Sequence, residues 1–368
     1  MKVMTILGTR PEIIRLSLII PKLDRWTQHT LIHTGQNYEP ELDSIFFESM
    51  KIRRPDAYLD SRSESLFGQI AKILEAVEVW VDRVRPDTCL ILGDTNSGLS
   101  ALVAEKKGVP VFHMEAGNRC FDLRVPEERN RKIIDHTSSW LLPYVEGSRM
   151  NLLSEGISDE RIFVTGNPIF EVLEHYRANI LASDVLNRLG IRQREFFLVT
   201  AHRAENVDVP ERLMGIVTAL NRLAEEDNYP VIWSFHPRTR SKLEKLSVEL
   251  HPLIKLCTPF DLFDFVKMEQ AAFCVLTDSG TVQEECCIFH VPAVTLRDTT
   301  ERPETVRCGS NILAGCDPEQ IVRSVELVTQ TGFRWDVPKE YVDPHVSDKV
   351  VRLILGNIGR GALAESRH

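Results

Sequence analysis

The feature that most constrains this 368-residue chain is a recurring pair of signals: a short apolar run, then a stretch with apolar residues at helical spacing. Residues 3–7 form the first run and end at Gly8, after which Ile13, Leu16, Ile20 and Leu23 follow at intervals of three and four. Runs at 31–33, 89–92 and 111–114 alternate with helical stretches at 42–50, 65–85 and 100–107. The pattern restarts after Gly166-Asn167-Pro168, with strand-like runs at 196–200, 231–235, 254–256, 273–276 and 293–296. Helices are expected over 211–226 and from about Gly280. Short strands buried on both faces and separated by helices predict parallel sheets wrapped on both sides. The expected fold is α/β: two Rossmann-like, doubly wound parallel-sheet domains facing a cleft. The first is placed at 1–167, with residues 348–368 packing back on it through a helix over 348–358; the second is placed at 168–347. Two domains also suit the length.

Charge and cysteine usage narrow the function. The net charge is −9, and basic residues gather only in short clusters such as Arg129, Arg131 and Lys132, so nucleic acid is not an expected partner. No run approaches the roughly 18 apolar residues of a membrane span. Gly8-Thr9-Arg10-Pro11-Glu12 interrupts the first apolar run too early for a signal peptide. None of the eight cysteines forms a C-x-x-C pair, and most lie in apolar runs. They read as buried free thiols of a cytoplasmic protein, without zinc. The string Gly359-Arg360-Gly361-Ala362-Leu363-Ala364 follows no strand and is discounted as a dinucleotide fingerprint. His113-Met114-Glu115 lacks the P-C-x-x-C partner of a deaminase zinc motif. Neither a cofactor nor a metal is expected.

Ligands of open parallel sheets bind beyond the carboxyl ends of the strands, so the residues after each run carry the functional signal. Gly8 permits a tight turn, Pro11 suits a first helical turn, and Arg10 stands there as a candidate diphosphate clamp. Asp94-Thr95 follows the run at 89–92, where a helix cap is the competing explanation. Glu115-Ala116-Gly117 follows 111–114; a partly buried glutamate there suits proton transfer. Pro126-Glu127-Glu128-Arg129-Asn130-Arg131 opens a helix with carboxylates, which dipole complementarity also explains. In the second half, His202 and His236 follow two strand-like runs. Asp278-Ser279-Gly280-Thr281 opens a helix whose N–H groups would face a phosphate, with Glu285 placed to reach a ribose.

Together, Gly8 to Glu12, Gly93 to Thr95, His113 to Gly117, Pro126 to Arg131, His202 to Asn206 and Asp278 to Glu285 resemble the non-hydrolysing UDP-N-acetylglucosamine 2-epimerase family, in the family's order and over nearly the whole chain. The resemblance implies the two-domain GT-B-like glycosyltransferase architecture, a UDP-sugar substrate bound mainly on the second domain, and a homodimer. It implies that Arg10, His202, Ser279 and Gly280 contact the diphosphate, with Thr281 in the same string, that Glu285 holds the ribose and that Phe265 lies beside the uracil. Asp94, Glu115 and Glu127 are the implied acid–base carboxylates, with Arg131 close to them and His202 in the catalytic set. His236 is a further cleft candidate. Arg15 replaces the family's usual lysine. The string Thr34-Gly35-Gln36-Asn37-Tyr38-Glu39-Pro40-Glu41-Leu42 stands where some bacterial members have a Gln-His-rich loop for a second, activating UDP-sugar, and the resemblance does not carry that site over. Gly35 to Leu42, Phe46-Phe47 and Gly117 to Asp122 are similar to a branch acting on UDP-2-acetamido-2,6-dideoxy hexoses or UDP-2,3-diacetamido uronates. The expected reaction is inversion of C2 in a UDP-HexNAc, with that branch or a glycosyltransferase as the alternatives.

Overall fold

The computed structural model describes residues 1–36, 46–234, 237–246, 248–332 and 334–356. Residues 37–45, His236 and the glycine-containing string at 359–364 lie outside them, as does part of the helix expected over 42–50. The chain forms two compact units, Met1–Glu174 with Lys339–His368, and His175–Pro338.

The first unit contains β1 (Lys2–Leu7), β2 (Gln28–His33), β3 (Ala57–Tyr58), β4 (Thr88–Leu92), β5 (Val111–Met114) and β6 (Trp140–Leu142). They pair in parallel in the order β3-β2-β1-β4-β5-β6. The second unit contains β7 (Phe197–Thr200), β8 (Val231–Ser234), β9 (Ile254–Cys257), β10 (Cys274–Thr277), β11 (Ala293–Thr295) and β12 (Asn311–Leu313), ordered β12-β11-β10-β7-β8-β9 and again all parallel. Numbered within its own unit, each sheet runs 3-2-1-4-5-6, the doubly wound order. Winding reverses between β1 and β4 in one unit and between β7 and β10 in the other. Gly8 to Glu12, Asp94-Thr95, His202 to Asn206 and Asp278 to Thr281 follow these four strands, and Glu115 to Gly117 follows β5.

Burial explains the continuous apolar runs. Phe197 and Val199 pack with Trp233 and the Pro210–Asp227 helix on one face of the second sheet. Phe196 and Leu198 pack with Ile232, Met268 and Val282 on the other. In the first unit the helix expected over 65–85 forms as Leu66–Val84, with the Ser65 hydroxyl accepting from the Gly68 N–H at 3.0 Å. The C-terminal helix, Val346–Leu355, packs on the Ile19–Trp26 helix of its own unit. There Lys22 Nζ donates to Ser347 Oγ at 2.7 Å, and the Ser347 N–H donates to Glu171 at 2.7 Å. No described helix is long and apolar enough to cross a membrane.

Candidate active site

In the first unit, the turn after β1 is built around a buried acid. The Glu12 carboxylate accepts from the Gly8 N–H at 2.5 Å and from Thr95 Oγ1 at 2.8 Å, tying the ends of β1 and β4 together. A Cβ on Gly8 would stand 2.1 Å from Ser97 Oγ, so glycine is required here for close approach. Arg10 is the first residue of the Arg10–Leu16 helix and is half-buried. Burial pushes the Glu12 carboxyl up to about 7, against the lowering effect of its hydrogen bonds from Thr95 and Gly8.

That shift makes a prediction about stability. Folded Glu12 keeps its proton to about 7, whereas the unfolded chain releases it near 4.5. Between those values the native state binds more protons, so stability falls as pH rises and levels off above about 7, a loss on the order of 3 kcal/mol. Glu12→Gln keeps an acceptor for Gly8 and offers an amide to Thr95. Urea unfolding at pH 5 and 7.5 should show a flatter pH dependence in the variant. An equally steep fall in both proteins would assign the titration to another group.

Glu115 follows β5 with φ of +66°, a left-handed conformation costing about 1–2 kcal/mol in a residue with a Cβ. Its N–H donates to Leu142 O at 3.1 Å. Its carboxylate is paired with Arg15, which is 3% exposed and whose guanidinium lies 5.7 Å from the centre of the Tyr144 ring. Asn118 Nδ2 approaches the other Glu115 oxygen at 3.4 Å. Beyond β4, Asp94 is half-buried and accepts from Arg131 Nε at 2.8 Å, while its carbonyl accepts from Asn130 at 3.0 Å.

The acidic helix start divides its two glutamates. Glu128 is fully buried and accepts from Arg131 at 2.7 Å and from the Cys120 and Phe121 N–H groups at 3.0 and 3.1 Å. Burial acts to raise its carboxyl, but the Cys120 N–H and Arg131 outweigh that and hold it below the usual range. Glu127, one residue earlier, is only half-buried. Glu128 therefore locks the loop at 120–121, and Glu127 is left at the helix start. Arg131 links Asp94 to Glu128 and so joins the end of β4 to the Pro126–Thr137 helix.

In the second unit, the turns after β7 and β10 are held by Asp278, which is fully buried. One of its oxygens accepts from the His202 and Arg203 N–H groups at 2.9 Å each and from Asn206 Nδ2 at 3.1 Å. His202 Nδ1 lies 3.2 Å from the other oxygen, with the ring half-exposed. Ser279 caps the Gly280–Phe289 helix without turning its hydroxyl onto the first turn; that hydroxyl meets Thr281 Oγ1 at 2.9 Å. The first turn presents backbone N–H groups, a glycine and two hydroxyls, with His202 from the turn after β7 held by the same Asp278; free N–H groups at a helix start suit an anion. Phe265 is half-buried on the Leu262–Ala271 helix, and Glu285 is 5% exposed on the Gly280–Phe289 helix.

Sequence reasoning missed the support of this helix start. Arg297, Glu301 and Arg302, which follow β11, are all buried. Glu301 accepts from Arg297 at 2.9 Å, and Arg302 pairs with Glu284. A Cβ on Gly280 would lie 2.7 Å from Glu301 Oε1, so this cluster fixes the close approach at the helix start. The signal was present as Arg297-Asp298-Thr299-Thr300-Glu301-Arg302, a charged run directly after an apolar strand. Among the described residues, no group of three or more His, Cys, Asp and Glu side chains is disposed to hold a metal.

The family model for UDP-N-acetylglucosamine 2-epimerase matches residues 22–355. The chain is 39% identical to the UDP-N-acetylglucosamine 2-epimerase of Methanococcus maripaludis, over 96% of this chain and 98% of that one. The chain belongs to the UDP-N-acetylglucosamine 2-epimerase family. A crystal structure of the Methanocaldococcus jannaschii UDP-GlcNAc 2-epimerase in complex with UDP-GlcNAc and UDP aligns with a TM-score of 0.90 at 39% identity, covering 96% of this chain and 99% of that one. The UDP-2,3-diacetamido-2,3-dideoxy-D-glucuronate 2-epimerase of Pseudomonas aeruginosa is 36% identical over 88% of this chain and 91% of its own. As in the sequence reading, then, both a plain and a diacetamido sugar occur among the family's substrates.

Proposed function

We propose that the chain inverts C2 of UDP-N-acetylglucosamine, interconverting it with its manno epimer. The observation that carries this reading is the 39% identity and TM-score of 0.90 to a 2-epimerase structure containing UDP-GlcNAc and UDP. The plain acetamido sugar is preferred to the diacetamido uronate because identity is higher to the UDP-GlcNAc enzymes, 39% against 36%. Assembly as a homodimer in the cytoplasm is part of the same reading.

The chemistry follows from the substrate. The C2 proton has no adjacent carbonyl to acidify it, but cleavage of the anomeric C1–O bond creates oxocarbenium character that does. A carboxylate removes the C2 proton, the C–H electron pair becomes the C1=C2 bond, and UDP departs with the C1–O pair. The products are 2-acetamidoglycal and UDP. The Gly280 helix start, Ser279, His202 and Arg10 are assigned to the departing diphosphate, where positive ends and cations act on charge that grows during the step. Re-addition forms the C1–O bond while C2 takes a proton on the opposite face. Two faces require at least two acid–base groups, for which Asp94, Glu115 and Glu127 are assigned, with Arg131 holding Asp94.

NMR in D2O tests this scheme directly. Product formed from UDP-GlcNAc should carry deuterium at C2, and 18O in the bridging position should scramble into the β-phosphate. Product that retains the original C2 hydrogen would exclude elimination.

A further inference from the structure

The reading above assigns Glu285 to the ribose, and the inference here rests on that assignment. Glu285 is not alone. Glu269, on the Leu262–Ala271 helix, is fully buried, and both its oxygens are sealed from solvent. The group facing it is the Glu285 carboxyl, from the neighbouring Gly280–Phe289 helix. Glu269 also stands four residues after Phe265, hence on the same helix face as the side chain assigned to the uracil. The aromatic, the buried acid and the ribose-assigned acid therefore lie along one pair of packed helices.

Two carboxylates in contact in a buried site cannot both ionise, because each disfavours the charge of the other. The proton belongs on Glu269. It is the more deeply buried of the two, and burial together with Glu285 holds its carboxyl well above the usual range. Among the described residues, burial and Glu285 are what act on the Glu269 carboxyl, and no cation is paired with it. Cys286, beside Glu285 in sequence, is a buried thiol that burial and the two carboxyls hold well above its usual range. On the same two helices, Glu284 is paired with Arg302 and Asp264 with Arg188, from the Val185–Leu189 helix. An ionised Glu269 would be an uncompensated buried charge, whereas a neutral one is a hydrogen-bond donor with one natural acceptor.

We infer that Glu269 is a positioning residue for the nucleotide, a neutral carboxylic acid that donates to Glu285 and aims the Glu285 carboxylate at the ribose hydroxyls. A fixed acceptor rejects a ligand lacking the hydroxyl, because the acceptor is then left desolvated without a donor. Glu269 thereby sets selection for a ribonucleotide without touching it.

Isothermal titration with UDP and with 2′-deoxy-UDP, on the full chain, separates this from a packing role. The wild-type protein should bind UDP more tightly than the deoxy analogue by about tenfold or more. Glu269→Gln, which still donates, should keep that ratio. Glu269→Met, of similar volume but without a donor, should bring the ratio to within about twofold of one, whereas a packing defect would weaken both ligands equally. Glu269→Asp, which withdraws the acid by a methylene, provides a second reading if the methionine variant does not fold, and should lose part of the ratio. An undiminished ratio in the methionine or aspartate variant would overturn the role given to Glu269. Failure of the wild-type chain to bind UDP at all would instead remove the nucleotide assignment beneath it.

Discussion

Asp94→Asn, Glu115→Gln and Glu127→Gln are each expected to lower kcat roughly 100- to 10,000-fold, with much smaller changes in KM, because proton transfer is a transition-state interaction. Their surroundings differ, and the differences make the experiment interpretable. Asp94 is held by Arg131 yet half-buried, and Glu127 is half-buried at a helix start whose structural contacts are made by Glu128. Their amide variants should therefore melt close to the parent. Glu115 is paired with a buried arginine, and neutralising it takes a carboxylate away from that buried charge, a change that costs about 3–5 kcal/mol when such a pair is broken. A low rate in Glu115→Gln alone is thus ambiguous. Adding Arg15→Met should restore much of the lost stability while the rate stays low. Near-parent turnover in all three single variants, with UDP-GlcNAc as substrate, would remove these carboxylates from the chemistry. Recovery of turnover in the Arg15→Met double variant would make Glu115 a structural partner of Arg15.

Arg10, Asp94, Glu115, His202 and Ser279 were legible as candidates because each follows within a few residues of an apolar run, and a strand end is a local feature. The strands predicted at 111–114, 196–200 and 293–296 appear as β5, β7 and β11, shifted by a residue at most. Three strands were not predicted: β3, β6 and β12 have two or three residues each, too few to show a period, and they sit at sheet edges. Strand order is a non-local property, so the placement of β1 beside β4 and of β7 beside β10 had no sequence signature. Nor did Glu115's left-handed backbone or the burial of Glu269, since a glutamate in an amphipathic stretch reads as a solvated face until its neighbours are known. The division of work between Glu127 and Glu128 was hidden for the same reason. Adjacent side chains on a helix point about 100° apart, and only the position of Cys120 and Arg131 decides which is buried.

The second large effect concerns the helix start assigned above to the diphosphate. Asp278→Ala should weaken UDP binding by about tenfold or more and lower stability by about 3 kcal/mol, as charge-assisted hydrogen bonds of this kind contribute about 1.5–3 kcal/mol each and are not additive. One carboxylate oxygen holds the His202 and Arg203 N–H groups and Asn206 together, and through them fixes the turn after β7 against the start of the Gly280–Phe289 helix. Alanine would release that turn and take their acceptor from the His202 and Arg203 N–H groups, while Asn206 Nδ2 would keep only its bond to the Leu296 carbonyl. Asparagine supplies an oxygen in the same place and should retain most of the affinity, losing mainly the attraction to His202 and Arg203. The order expected from titration calorimetry is therefore wild type, then Asp278→Asn, then Asp278→Ala. Direct electrostatics gives a different order: a carboxylate beside a diphosphate repels it, so its removal would tighten binding in both variants. An alanine variant that binds UDP as well as or better than the parent would show that the turn holds its shape without Asp278. The phosphate would then be recognised by the helix start alone.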